Sequence, residues 1–285
     1  MEHYHASING IRLHYVRAGS GPLMLFVHGF PEAWFTWQRQ LDAFAGEFTV
    51  VAPDLRGYNL SDKPAEVADY RPAVLVEDLR QLIAHLGFER CVLVAHDWGG
   101  AVAWNFAAAY PQMIEKLVIL NAPHPVLFAR ELRNNPAQQV ASQYMRLLCT
   151  DKAERVMSEN NFARLSALFG ERGQDAAALA RYHAAWNQVG ALTGMFNYYR
   201  ASPLRPPAPD GSVPVAPELD PQKFMIRVPT LVIWGESDIA LLPGVLEGLD
   251  ALVPDLRIAR LPKATHWVAH DEPDQVNVLI REFAA

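Results

Sequence analysis

The residues best placed to do chemistry lie in one stretch, Val92-Leu93-Val94-Ala95-His96-Asp97-Trp98-Gly99-Gly100. An apolar run of strand character ends in a carboxylate, and an alanine-rich helical pattern follows at once. A sharp strand-to-helix turn needs small residues on either side, because the two backbones approach closely. Ala95 and Gly99 fill those places, with Asp97 between them. A carboxylate is a poor acylating nucleophile, but it opens a strained or activated sp³ carbon by backside attack and is left as an alkyl ester. That ester must be hydrolysed at the Asp97 carbonyl, so the chemistry also needs a base and an oxyanion hole. The competing reading makes Asp97 a simple cap of a helix that begins at Trp98.

A turn of this kind carries the nucleophile of α/β-hydrolases, commonly as Gly-x-Ser-x-Gly, with partners in the order nucleophile, acid, histidine. In that fold the loop after the first long core strand gives one oxyanion N–H, and the residue after the nucleophile gives the other. Here these are Phe30, in His28-Gly-Phe-Pro31, and Trp98. Of the ten histidines, His266 in Pro262-Lys-Ala-Thr-His-Trp267 satisfies the order, with His270 its nearest competitor. The acid falls in Gly235-Glu236-Ser237-Asp238, where Asp238 is preferred and Glu236 is the fallback. Some relatives place the acid one strand earlier, but that position is Asn121, which carries no charge.

His28-Gly-Phe-Pro31, Asp54-Leu-Arg-Gly-Tyr58 with Ser61-Asp-Lys-Pro64, and His96-Asp-Trp-Gly-Gly100 together resemble the epoxide hydrolases of the α/β-hydrolase superfamily, through essentially the whole chain. The resemblance implies hydrolysis of epoxides to vicinal diols, with no metal or organic cofactor and a small apolar epoxide and water as partners. It also implies two lid tyrosines that donate to the epoxide oxygen. These correspond to Tyr144 and Tyr199, with Tyr198 the rival for Tyr199 and Tyr182 the weaker rival for Tyr144. The same Asp-His-Asp triad would serve a haloalkane or haloacid dehalogenase. Against that reading, Phe30 stands where many haloalkane dehalogenases carry a halide-binding asparagine, and Trp98 where haloacetate dehalogenases carry arginine. Asp97 disfavours a serine esterase, and a complete triad disfavours a binding protein on an inactive scaffold. Trp34, Phe35, Trp37, Trp98, Trp186, Phe196 and Trp267 are candidate pocket walls, although each could equally be core.

Elements must hold these groups in place. His3–Ile8 and Ile11–Arg17 alternate around Asn9-Gly10, a tight-turn signal. Uninterrupted apolar runs follow at Leu23–Val27, Phe48–Ala52, Val92–Ala95, Leu117–Leu120 and Thr230–Trp234, as in strands buried on both faces of a parallel sheet. Leu256–Leu261 reads as a further strand. Helical spacing between them points to a doubly wound α/β domain. From His124 to Pro217 the strand rhythm stops, helical segments such as Asn135–Cys149 and Asp175–Tyr199 take over, and the proline-rich Pro203–Pro221 leads back. The reading is a core at 1–123 and 218–285 with a helical cap at 124–217.

The 285 residues are 51% hydrophobic and 20% charged, enough for one large core, and the net charge of −6 without a basic patch argues against a nucleic-acid partner. No stretch approaches the ~18 apolar residues of a membrane span. None of signal-peptide length occurs near Met1, so the cytoplasm is the expected location. Cys91 and Cys149 do not suggest a disulfide framework. Oligomeric state is not legible.

Overall fold

The computed structural model describes residues 1–170, 175–208, 210 and 215–285. Parts of the proline-rich return segment, at 209 and 211–214, lie outside the described residues. The chain begins with a hairpin, β1 (Glu2–Ile8) and β2 (Ile11–Ala18). Asn9 and Gly10 both take positive φ, 42° and 74°, as a type I′ turn requires. The strands β3 (Leu23–Val27), β4 (Thr49–Pro53), β5 (Cys91–His96), β6 (Ile114–Leu120), β7 (Thr230–Gly235) and β8 (Leu256–Leu261) complete an eight-stranded sheet. Its order is β1-β2-β4-β3-β5-β6-β7-β8, antiparallel at β1/β2 and β2/β4 and parallel elsewhere. Every residue of β3, β4, β5 and β7 is buried, the consequence of helices on both faces.

The helices are α1 (Gln38–Phe44), α2 (Pro72–His85), α3 (Asp97–Ala109), α4 (Pro125–Asn134), α5 (Pro136–Ala141), α6 (Tyr144–Leu148), α7 (Ala153–Ala167), α8 (Ala176–Trp186), α9 (Ala191–Ala201), α10 (Val268–Asp271) and α11 (Pro273–Ala284). Two apolar clusters form the core. One joins α2, α3 and the cap helices to one face of the sheet, and the other joins α1 and α11 to the opposite face. Helices α4 to α9, the cap, are inserted between β6 and β7.

Inside the cap the expected long helices are shorter. The segment 135–149 breaks at Ser142-Gln143 into α5 and α6, and 175–199 breaks before Gly190, whose φ is 79°, into α8 and α9. Ser142-Gln143 carries neither proline nor glycine to mark the first break, whereas Gly190 in a left-handed conformation marks the second. The cap is tied to the core by polar contacts. Asn197 Nδ2 donates to the Ala65 carbonyl (3.1 Å) and the Tyr198 hydroxyl to the Arg56 carbonyl (2.9 Å). Gln138 on α5 donates to the Ala240 carbonyl (2.8 Å) and accepts from Leu242 N–H (2.9 Å).

Candidate active site

The carboxyl ends of β3, β5, β6, β7 and β8 converge beneath the cap, the usual location for ligands in an open parallel sheet. At the end of β5 the chain turns so sharply that Asp97 takes φ +48° as the first residue of α3. Gly99 makes the turn possible: a Cβ there would lie 2.4 Å from the carbonyl oxygens of Val27 and His28. The Asp97 side chain does not cap the helix. Its Oδ1 accepts from Phe30 N–H at 2.6 Å, which brings the loop after β3 onto the carboxylate. That loop is pinned by His28, whose Nε2 accepts from Leu55 N–H (3.0 Å), leaving Nδ1–H to donate to the Gly29 carbonyl (2.9 Å). Burial keeps the His28 ring neutral by lowering its pKa.

His266 stands on the other side of Asp97, its Nε2 3.6 Å from Asp97 Oδ2. Its Nδ1 meets Asp238 Oδ2 at 2.7 Å. Glu236 is turned away and pairs with Arg260 (2.9 Å), and His270 does not reach Asp97. Asp238 is 4% exposed and fully served: Oδ1 accepts from the N–H groups of Ala240 (2.8 Å) and Leu241 (3.0 Å), and Oδ2 also accepts from Asn121 Nδ2 (2.9 Å). Asn121 Oδ1 in turn accepts from Gly235 N–H at 2.7 Å. The alternative acid position therefore holds an amide that orients the acid one strand over. Burial opposes the Asp238 charge, but the His266 charge and hydrogen bond, with Asn121 and Leu241, hold its carboxyl below the usual range. Burial likewise opposes a charged His266, yet Asp238 first and Asp97 second raise its pKa well above that of an ordinary histidine.

Two cavities meet at Asp97, Tyr144 and Tyr199. The larger, about 730 Å³, runs past Phe30, His266 and Trp267 towards Leu168 and Ile239. The smaller, about 160 Å³, is walled by Trp98, Phe128, Met145, Leu204 and Leu241. The Tyr144 and Tyr199 rings lie 6.1 Å apart, edge to face, and Tyr199 also packs on Trp98 (5.0 Å) and Phe30 (5.3 Å). Burial, followed by other causes that include the Asp97 charge, raises the pKa of both phenols, so they are proton donors rather than phenolates. Neither rival tyrosine is free for that task. Tyr198 donates to the Arg56 carbonyl, and Tyr182 donates to Glu32 Oε1 at 3.2 Å.

The aromatic pocket candidates divide. Trp98 and Trp267 line the cavities, but Trp34, Phe35, Trp186 and Phe196, like Trp37, do not. Trp186 is buried against Phe162 and Phe169 with its indole N–H on the Pro31 carbonyl (2.6 Å). Phe196 is fully buried behind Phe30, and Trp34 and Phe35 pack beneath Arg181. Phe35 borders a separate cavity of about 360 Å³ with Arg39, Arg181 and His270. Aromatic character marks burial, not the side from which a ring is seen. The sequence reading missed Phe128, Met145, Leu204 and Leu241, which carry no signal beyond apolarity, and Glu32, whose partners are distant in the chain. Among the described residues no group of three or more His, Cys, Asp or Glu is arranged to hold a metal ion, and no helix is long and apolar enough to cross a membrane.

Residues 22–273 match the family described as alpha/beta hydrolase fold. The chain is 37% identical to mouse epoxide hydrolase 4 over 288 residues, covering 96% of this chain and 77% of that protein. Among solved structures it is similar to a Bacillus megaterium epoxide hydrolase in complex with an inhibitor, with a TM-score of 0.91, 37% identity and 99% of each chain covered. It is also similar to an epoxide hydrolase of Vigna radiata, with a TM-score of 0.82 and 26% identity over 99% of this chain and 97% of that one.

Proposed function

Because the chain belongs to the epoxide hydrolases of the α/β-hydrolase superfamily, we propose that it hydrolyses epoxides to vicinal diols through a covalent ester on Asp97. The observation that carries this reading is the Asp97 carboxylate itself. One of its oxygens rests on Phe30 N–H, the other faces His266, and two tyrosines border the same cavity.

Oδ2 is the attacking oxygen, since Oδ1 already sits on the donor that will hold the ester carbonyl. As the Oδ2–carbon bond forms, the ring carbon–oxygen bond breaks and its electron pair goes to the epoxide oxygen. Tyr144 and Tyr199 donate to that oxygen, the acid half of the step. His266, oriented by Asp238, then takes a proton from water, which adds to the Asp97 carbonyl carbon. The resulting oxyanion forms at Oδ1, on Phe30 N–H, with Trp98 N–H in the first turn of α3 as its second donor. Collapse breaks the bond between the Asp97 carbonyl carbon and Oδ2, and the proton on His266 goes to Oδ2 as the diol leaves. The second proton of the water is released as the carboxylate is restored, replacing the one the tyrosines gave to the epoxide oxygen.

Ester formation also prepares the base. Asp97 is one of the two carboxylates that favour protonated His266, and esterification removes its charge. His266 therefore releases its proton more readily in the ester than in the free enzyme. A dehalogenase using the same triad would need halide donors, whereas Phe30 presents an aromatic ring packed on Tyr199.

The test is the intact mass of a His266→Gln variant incubated with epoxides and, separately, with haloalkanes. Gain of one whole epoxide mapping to Asp97 is expected. Gain of an alkyl group with loss of halide would move the protein to the dehalogenases, and no adduct at Asp97 would overturn the mechanism.

A further inference from the structure

The cavity of about 360 Å³ beside Phe35 lies between the core, at α1 and α10, and the cap helix α8. Among the described residues that line it, only Phe169 also borders the larger cavity at Asp97. One wall is aromatic. Phe169 stacks on Tyr182 with ring centroids 4.7 Å apart, and Phe35 packs on the same tyrosine at 4.9 Å. Small-molecule sites commonly span ~300–1,000 Å³, so this one has room for a ligand of one or two rings.

The charges beside that wall are mostly positive. Arg181 lays its guanidinium over Phe35, 4.3 Å from the ring centroid, and Arg39 borders the cavity from α1. Neither guanidinium has a hydrogen bond or a carboxylate partner among the described residues. The one carboxylate in the lining, Asp175, turns Oδ1 to the N–H groups of Ala177 (3.0 Å) and Ala178 (3.2 Å) as the N-cap of α8. An arginine stacked on an aromatic face keeps its in-plane N–H fork free, in a geometry that matches a planar oxyanion. We propose that this cavity is a second ligand site for a small aromatic carboxylate. The ring of the ligand extends the wall of Phe35, Tyr182 and Phe169, and its anionic end is held by Arg39 and Arg181. The cavity at Asp97 does not suit such a ligand, because the Asp97 carboxylate lines it and repels a second anion.

The site does not depend on what Asp97 does, and binding is read without turnover. The probe is 2-naphthoate, titrated calorimetrically into the full chain at low ionic strength, with 2-acetylnaphthalene as a partner of the same shape and no charge. One molecule of 2-naphthoate is expected to bind per chain. Removing one side of a charge-assisted contact should weaken it about tenfold or more, in Arg39→Gln and in Arg181→Gln alike. Added salt should weaken it further in the parent, where both charges act. The neutral ketone should bind the parent about tenfold more weakly than the acid, and neither substitution should change its affinity by more than about threefold. No saturable binding of 2-naphthoate by the parent would overturn the inference. Unchanged affinity in either arginine variant would do the same, by placing the probe elsewhere, and so would equal affinity for acid and ketone. Both arginines are exposed, so the variants should keep the fold, which circular dichroism checks. If Arg181→Gln does not fold, Arg181→Lys replaces it, keeping the charge and losing the planar fork. A loss of about threefold or more is then expected, and no loss would reject the site.

Discussion

Replacing Asp238 by asparagine should separate the two chemical steps. Four donors converge on this buried carboxylate: His266 Nδ1 at 2.7 Å, Asn121 Nδ2 at 2.9 Å, and the N–H groups of Ala240 and Leu241 at 2.8 and 3.0 Å. An amide has one oxygen and one NH₂, so in either orientation the NH₂ faces two donors. If the oxygen stays on the two backbone groups, His266 can meet the amide only by presenting an unprotonated Nδ1. Its single proton then sits on Nε2, where it cannot accept one from water. A wrong-tautomer histidine of this kind costs about 10⁴-fold in a related triad, equivalent to about 5 kcal/mol of barrier. Asp97 keeps its Phe30 N–H and its access to substrate, so ester formation should stay within about tenfold of the parent. Rapid-quench kinetics with intact-mass detection should show the Asp97 ester accumulating and persisting. Unmet donors should also cost about 1–3 kcal/mol each, visible as a lower Tm. Hydrolysis within about tenfold of the parent rate would refute the assignment of Asp238 as the group that orients the base.

Other perturbations test other parts of the account. Tyr144→Phe and Tyr199→Phe should each slow ring opening, the pair together by about 10²- to 10⁴-fold, while hydrolysis of an ester already formed is spared; loss confined to hydrolysis would contradict this, and single-turnover kinetics distinguishes the two. Gly29→Ala would place a Cβ 2.3 Å from Asp97 Oδ1. Displacing the nucleophile by about 1 Å should cost on the order of 10²-fold in ester formation, read by burst amplitude and rate. Hydrolysis should rise with pH as His266 loses its proton, and its midpoint should lie below the His266 pKa that NMR reports in the free enzyme, since esterification removes the Asp97 charge. The same shifts bear on stability. Asp238, held below its ordinary 3.8, contributes above that value and loses the contribution as pH falls through its folded pKa; His266, held above 6.5, contributes below 6.5 and loses the contribution as pH rises through its folded pKa. The Tm difference between the parent and His266→Gln should therefore be largest between those limits and shrink outside them.

Much of this site is written in local sequence because its groups sit at strand ends. The runs that become β3, β5 and β7 are short and apolar, so the polar residues just beyond them, His28, Asp97 and Asp238, stand out, whereas His266 follows β8, where Arg257 and Arg260 interrupt the apolar pattern. The order of those strands in the sheet brings the groups together. What was not legible depends on contacts across the chain. Glu32 reads as an ordinary loop carboxylate until His96, Tyr182 and His270 arrive from 64, 150 and 238 residues away. The cavity walls were hidden for another reason. Trp186 and Phe196 are as apolar as Phe128 and Leu204, and only packing decides which face a cavity. The breaks that separate α5 from α6 and α8 from α9 make Tyr144 the first residue of one helix and place Tyr199 near the end of another.

The covalent ester is the central claim, and one turnover in ¹⁸O-labelled water tests it most directly. With enzyme in excess over epoxide, the diol should contain no label, because its new oxygen comes from Asp97 Oδ2, and the label should appear in the Asp97 carboxylate on peptide mapping. Diol labelled in that first turnover, with Asp97 unlabelled, would mean that water attacks the epoxide directly and that Asp97 is not the nucleophile.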